Sequence, residues 1–388
     1  MLLYWLGDFM VNIGIICEYN PFHNGHVYHI DMIKKMYPDS RIILVMSGNF
    51  LQRGDVSLIN KWDKTKIALE HGIDLVVELP FVFATQGADK FAHGAIQILN
   101  SLKVDNIVFG SECNDIDLLK KLADVQVNNK DYDLLVKKYV DDGKNFPTAM
   151  SMALKDLCGN TVDSPNDILG LCYIKEIISL NSNIKPVCIK RTSDYHSNLL
   201  NSICSASAIR EAIKLGKDIS NYVPIDSLEF INKNCSVDNL FSFLKYKIMT
   251  CDDLSQFVTV DDGIISRIKK NIYSCNSLDE LINCVKTKRY TYNRIKRMFL
   301  HILCNFTNFH NEKCVDIHYI RVLGFNSIGR DFLNVVKKDC DVPIISNFSS
   351  LNDIMLDIEF RGTCVYSLIF DNNIDIIESE YKNKPIIK

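Results

Sequence analysis

Short, mostly apolar runs alternate with helically spaced segments through the first half of the chain. The runs fall at Ile13–Cys17, Arg41–Met46 (RIILVM), Asp74–Glu78 (DLVVE), Asn106–Phe109 (NIVF) and Ile184–Ile189 (IKPVCI). Between them, Asn24–Met36, Lys61–His71, Ala88–Leu102 and Pro165–Leu180 place apolar residues at helical spacing. Strands apolar along their whole length need cover on both faces, and intervening helices supply it through parallel crossovers. The pattern predicts an α/β fold, a doubly wound Rossmann-like parallel sheet, which binds ligands beyond the carboxyl ends of its strands. After about residue 215, Ser236–Met249, Leu278–Val285 and Asn293–Asn305 keep helical periodicity while strand signals become sparse. The expected organisation is an N-terminal extension over 1–10, a nucleotide-binding α/β domain over 11–215 and a mostly helical domain over 216–388, with an apolar run at Val342–Ser346 in its tail.

Composition narrows the class. With 47% hydrophobic and 23% charged residues among 388, wholesale disorder is excluded. A net charge of −3 excludes a globally basic nucleic-acid coat but leaves room for a local basic patch. The 14 cysteines are scattered with no CxxC pair, so Cys reads as a small apolar residue in a reducing, cytoplasmic setting. The opening MLLYWLGDF has no basic n-region and is interrupted by Asp8, so it reads as an upstream-start extension rather than a signal peptide. No run approaches the ~18 apolar residues of a membrane span.

The most informative stretch follows the first predicted strand. Glu18-Tyr19-Asn20-Pro21 gives a tight turn, and His23-Asn24-Gly25-His26 opens a helix. Free N–H groups and the positive end of a helix dipole attract phosphate. His23 and His26 lie three apart, share a helix face and can donate to one phosphate group. An HxxH pair is also compatible with a satisfied structural pair or half a metal site; its position after the first parallel strand favours the nucleotide. A second anion site is expected at Cys204-Ser205-Ala206-Ser207-Ala208-Ile209-Arg210, where two hydroxyls and a guanidinium share a helix start.

His-Asn-Gly-His resembles the HIGH signature of adenylyl-transferring enzymes, and Ser-Ala-Ser-Ala-Ile-Arg resembles their second phosphate-binding motif. GIICEYNPFHNGHVYH, SGNFLQRGDVSLINKWDKTKIAL, DLVVELPFVFATQGADKFAHGAI, FGSE, SPNDILGLCYIKEI, KRTSDYH and TKRYTYNRIKRMFLHIL follow in order, a series similar to the bacterial tRNA(Met) cytidine acetate ligase family. The resemblance implies a HIGH-type nucleotidyltransferase fold. It also implies activation of acetate with ATP to acetyl-adenylate, then transfer of acetyl to N4 of the wobble cytidine of elongator tRNA(Met). Carried over by motif, the ATP site comprises Ile16, Cys17, Glu18, Tyr19, Asn20, Pro21, Phe22, His23, Asn24, Gly25, His26, Val27, Tyr28 and His29, with Gly110, Asn166 and Arg191. His23, His26, Ser205, Ser207 and Arg210 are the expected catalytic group, with Mg²⁺ bridging phosphates and no dedicated protein metal site.

Other residues carry open alternatives. Gln52 and Arg53 face either the ligand or solvent; Lys61 and Asp63 read as solvating a helix start; His93 reads as structural; and His196 has either role. Six basic residues and two tyrosines lie between positions 286 and 297: Lys286, Lys288, Arg289, Tyr290, Tyr292, Arg294, Lys296 and Arg297. Basic residues neutralise phosphates and tyrosines stack on unpaired bases, so this is the expected tRNA surface, extended by Arg321, Lys337 and Lys338; a solvated helix face is the alternative. Two further readings are a small-molecule nucleotidyltransferase and a non-catalytic RNA-binding protein. No membrane contact and no stable protein partner are expected.

Overall fold

A computed structural model describes residues 10–191, 204–232, 235–370 and 373–388. Five strands run parallel, β1 (Val11–Cys17), β2 (Ser40–Ser47), β3 (Leu75–Leu79), β4 (Asn106–Ser111) and β5 (Lys185–Lys190), in the order β5-β4-β1-β2-β3. The order reverses at β1, whose neighbours are β2 and β4. That reversal opens a crevice at the carboxyl ends of β1 and β4, where α/β sheets bind ligands. The interior of β3 is wholly buried, as its apolar sequence requires.

Among the described residues there are fifteen α-helices of eight or more residues: α1 (Asn24–Met36), α2 (Lys61–Glu70), α3 (Ala88–Ser101), α4 (Ile116–Asn128), α5 (Lys130–Asp141), α6 (Phe146–Cys158), α7 (Pro165–Ser179), α8 (Ala206–Lys214), α9 (Phe241–Thr250), α10 (Asp262–Asn271), α11 (Leu278–Val285), α12 (Tyr292–Leu303), α13 (Ser327–Val336), α14 (Ile354–Ser367) and α15 (Ile374–Lys382). Helices α9 to α12 form their own apolar core around Leu244, Ile264, Leu281 and Met298. Among the described residues, no helix is long and apolar enough to cross a membrane.

The region after 215 is not helical throughout. Strand β6 (Ile320–Phe325) pairs antiparallel with β3, and β7 (Ile344–Ile345) and β8 (Ile386–Ile387) pair with β6. The chain therefore leaves the sheet to build the helical bundle and returns to complete its edge. Arg321 is the reason the run IRVLGF does not read as a buried strand, and it is only 2% exposed.

Arg321 therefore does not extend the basic surface. Its guanidinium donates to Glu78 at 3.0 Å and Glu380 at 2.6 Å, between the Trp62 and Phe348 rings. Lys61 does not solvate a helix start either. Its ammonium lies 2.5 Å from Glu380, 2.7 Å from Glu78 and 3.4 Å from Glu359. Burial, then the Glu78 charge, push the Glu359 carboxyl up to about 8, whereas Lys61 and Arg321 overcome burial to hold Glu380 down at about 2. Lys337 and Lys338 are exposed but follow α13, which starts where β6 ends opposite the first residue of β3. Asp341, three residues after Lys338, pairs with Lys103 at 3.2 Å just before β4, at the amino end of the parallel strands.

Removing one partner from a buried ion cluster strands the others. Lys61→Met is expected to lower unfolding free energy by about 3–5 kcal/mol in urea titrations. A loss under about 1 kcal/mol would mean that the cluster is hydrated and its charges are screened.

A candidate nucleotide site and a basic helical surface

Strand β1 ends at Cys17, and the following residues turn sharply into α1. Tyr19 adopts φ 49°, and the Asn20–Pro21 peptide is cis. The Asn20 carboxamide fixes the turn by accepting from the Leu58 amide at 2.8 Å. His23 is the N-cap of α1: its Nδ1 accepts from the Gly25 amide at 3.0 Å, and His26 Nδ1 accepts from the His23 amide at 3.2 Å. This capping box is built from two imidazoles rather than a hydroxyl and a carboxylate. Because both Nδ1 atoms accept N–H bonds, each neutral ring carries its proton on Nε2. The rings stack with centroids 3.8 Å apart.

Burial, reinforced by Arg191 and Arg210, pulls His23 down to about 3. His26 is driven well below its ordinary value by burial and then by His23, and His29 falls to about 4 through burial and Arg191. At neutral pH the three imidazoles are uncharged, so the charges for an anion come from the arginines. His29 Nε2 is buried with no hydrogen-bond partner among the described residues.

The second motif meets the first. Ser205 caps α8 by accepting from the Ala208 amide at 3.2 Å. Arg210 Nη1 donates to the Asn20 carbonyl at 2.7 Å, and its Nη2 donates to Ser207 Oγ at 3.1 Å. Helix α1 is also tied to the segment after α8, since the Asn24 carboxamide donates to the Asn221 carbonyl at 3.0 Å.

On the β4 side, Gly110 is set by close approach: a Cβ there would lie 3.2 Å from Arg191 Cγ. The Arg191 amide donates to the Ser111 carbonyl at 3.0 Å, and Asn166 Nδ2 donates to Glu112 Oε1 at 2.5 Å. Arg191 Nε and Glu112 Oε2 are buried without hydrogen-bond partners among the described residues. Arg191 Nε lies 3.7 Å from Glu112 Oε1, an ion pair rather than a hydrogen bond. Gly110, Asn166 and Arg191 thus come together at the ends of β4 and β5, across from the histidines.

Sequence reading missed three supports of this site. Lys64 is buried and donates to the carbonyls of Glu18 at 3.0 Å, Ser47 at 2.8 Å and Gly48 at 2.8 Å, joining the ends of β1 and β2; burial pulls it down to about 7. Asp167 accepts from Ser111 Oγ at 2.5 Å and from the Glu112 and Cys113 amides at 3.1 and 3.0 Å, which shapes the loop after β4. Glu112 itself was visible only as the last letter of FGSE. Gln52 has a defined place, its amide donating to Glu18 Oε1 at 2.7 Å. His93 bridges Glu176 at 2.7 Å and Asp316 at 3.1 Å, a packing role. His196 lies outside the described residues.

The basic segment divides. Lys286, Lys288 and Arg289 are exposed, Arg289 at 72%. Arg289 and Arg294 each sit 3.6 Å from Asp261, and both lie over the Tyr290 ring. Tyr290 is only 4% exposed, with its hydroxyl donating to Asp261, and the Tyr292 hydroxyl donates to Asp279. Neither tyrosine presents a free ring and hydroxyl together. Lys296 pairs with Asp55, and Arg297 Nη1 donates to the Gln52 carbonyl at 3.2 Å, so both point back to the sheet.

A parallel sheet with a histidine-capped first helix and a converging arginine motif defines a nucleotidyltransferase-type site, and residues 10–381 match the HIGH Nucleotidyl Transferase family. The chain belongs to that family and, within it, to the tRNA(Met) cytidine acetate ligases. It is 38% identical to the tRNA(Met) cytidine acetate ligase of Geobacillus sp. (strain WCH70), covering 98% of this chain and 100% of that protein. Identity to the Clostridium perfringens (strain ATCC 13124) ligase is 41%, covering 96% and 98%. The crystal structure of Thermotoga maritima TmcAL bound with alpha-thio ATP superposes with a TM-score of 0.88 at 31% identity, covering 97% of this chain and 99% of that one.

The depressed histidines predict an acid-sensitive fold. An unfolded histidine titrates near 6.5, so on acidification the unfolded chain takes up protons before the folded one. Stability contributed by the neutral rings is complete above about pH 6.5 and is lost as pH falls towards the folded values of about 3 and 4 for His23 and His29. His301, lowered to about 4 by burial, adds the same sign. His93, raised by its hydrogen bond to Glu176, has the opposite sign but is outnumbered. Urea unfolding free energy is expected to fall from pH 7 to pH 5 by up to about 1.4 kcal/mol per pH unit for each depressed ring. A flat or rising profile would show these rings protonated in the folded state.

Proposed function

We propose that this chain activates acetate with ATP to form acetyl-adenylate and pyrophosphate. It then transfers the acetyl group to N4 of the wobble cytidine of elongator tRNA(Met), giving N4-acetylcytidine. The observation that carries this reading is the 2.7 Å bond from Arg210 to the Asn20 carbonyl, which joins the two phosphate-binding motifs beside the stacked His23–His26 pair.

In the first step an acetate oxygen attacks the α-phosphorus and pyrophosphate leaves. Negative charge grows on phosphate oxygens, and fixed N–H donors in a dry site stabilise it without reorganising. His23 and His26 offer Nε2–H donors already locked by their caps. Arg210, Ser207 and the α8 amino terminus receive the leaving pyrophosphate. Gly110, Asn166 and Arg191 form the opposite wall, where the nucleoside is held. Mg²⁺ bound to the triphosphate would neutralise charge on its oxygens; among the described residues no three His, Cys, Asp or Glu side chains cluster to hold a metal by themselves.

In the second step the cytosine amine attacks the acetyl carbonyl and AMP leaves. Lys286, Lys288 and Arg289 supply exposed positive charge for the tRNA backbone, with Arg294 beside them. Tyr290 acts here by orienting Arg289 and Arg294, and Tyr292 lies against Lys296, rather than either ring stacking on bases.

The direct test is transfer of labelled acetate into unmodified elongator tRNA(Met) with ATP and Mg²⁺. Label recovered as N4-acetylcytidine is the expected result, and acetate-dependent pyrophosphate release with no label on the tRNA would overturn the acceptor. His26→Asn keeps an acceptor where Nδ1 lies, preserving the cap, and deletes the Nε2–H donor. It is expected to lower adenylate formation about 10²–10³-fold with thermal stability near wild type. An unchanged rate would remove His26 from the phosphate site.

A further inference from the structure

Two of the basic residues on α12 face the sheet rather than solvent. The segment that meets them is a tight turn after β2: the Gly54 amide donates to the Leu51 carbonyl at 2.9 Å, the Leu51 amide donates to the Asp55 carbonyl at 3.0 Å, and Phe50 bridges Val56. Gly54 adopts φ 76°, and a Cβ there would lie 2.8 Å from the Arg297 amide nitrogen and the Lys296 carbonyl carbon. The turn is pressed onto the helix backbone. Lys296 pairs with Asp55 on one side of it, and Arg297 donates to the Gln52 carbonyl at 3.2 Å on the other.

The peptide units of Gln52 face two ways. The carbonyl takes the Arg297 guanidinium, and the amide donates at 2.7 Å to Glu18 Oε1, at the end of β1. The side chain is anchored as well, its Nε2 donating to the Gln86 carbonyl at 3.1 Å. Glu18 is half-buried and lies in the field of Lys64 and Arg210, the residues that tie down the first loop. A partly desolvated carboxylate that loses its N–H donor either takes a proton or moves. Either change would alter the loop that presents His23 and His26.

We propose that Arg297 and Lys296 are positioning residues of the adenylation site: they clamp the Leu51–Asp55 turn so that the Gln52 amide holds the Glu18 carboxylate in place. The assignment separates them from Lys286, Lys288 and Arg289, whose charges face solvent. It rests on the acetate-activation reading, because adenylation is the readout.

The test is acetate-dependent ATP–pyrophosphate exchange by the full-length protein with no tRNA present, beside tRNA(Met) affinity measured at several salt concentrations. Arg297→Met is expected to lower kcat/KM for ATP about tenfold or more, with tRNA affinity and its salt slope unchanged. Arg297→Lys, which keeps a donor for the Gln52 carbonyl, should restore much of the loss. Gly54→Ala attacks the clamp from the other side and should reproduce the Arg297→Met defect; it carries the test if Arg297→Met does not fold. In a Glu18→Gln background the Arg297→Met effect should shrink below about twofold, because the two changes act through one contact. Normal exchange in Arg297→Met with weaker tRNA binding and a shallower salt slope would make Arg297 an RNA contact and overturn the proposal. Additive losses in the Glu18→Gln background would overturn it too. Absence of exchange in the wild type would instead sink the acetate-activation reading itself.

Discussion

The ammonium group of Lys61 has no path to water, and the architecture depends on what surrounds it. Carboxylates reach it from β3, α14 and α15, and Arg321 on β6 closes the cluster. Lys61 opens the helix after the β2 loop; Glu359 and Glu380 come from the last part of the chain. The cluster therefore binds early and late segments into one layer. A buried cluster of this kind is no guarantee of net stability over an apolar core, because desolvation offsets much of the Coulomb gain. It goes with one register: β6 sits beside β3 with Arg321 opposite Glu78.

The same constraint reaches the ligand site. Glu359 accepts from the Phe81 amide at 2.7 Å, and a Cβ on Gly48 would lie 2.8 Å from Glu78 Oε1. The loop after β2 thus lies directly on the charge cluster. Gly48 also gives its carbonyl to Lys64, whose other acceptors include Glu18. Two buried lysines on one helix, three residues apart, anchor this loop in different ways: Lys61 holds the core beneath it, and Lys64 ties it to the turn that leads into α1.

The residues explain which parts of this were legible in the sequence. β1 to β5 were readable because their interiors are apolar on both faces, and α1 because Pro21 and the His-Asn-Gly-His opening mark its start. The meeting of the histidine motif with Ser207 and Arg210 needed motif recognition, since nothing local couples residues so far apart in sequence. β6 was hidden by the charged residue at its second position, Arg321. Lys61 looked like a solvated position and Lys64 did not stand out, because sequence cannot show that carboxylates and carbonyls converge on them from elsewhere. Tyr290 and Tyr292 read as stacking platforms, yet each hydroxyl has an aspartate partner, Asp261 or Asp279, contributed by a neighbouring helical segment of the bundle.

The return of β6 to the β3 edge has a consequence during synthesis. As the polypeptide emerges from the ribosome, β1 to β5 can pair long before Arg321, Glu359 and Glu380 exist. Until α14, α15 and β6 are made, β3 is an open edge strand whose Glu78 has Lys61 beside it but not yet Arg321. Such an edge invites pairing with another nascent chain, and it is covered when β6 arrives.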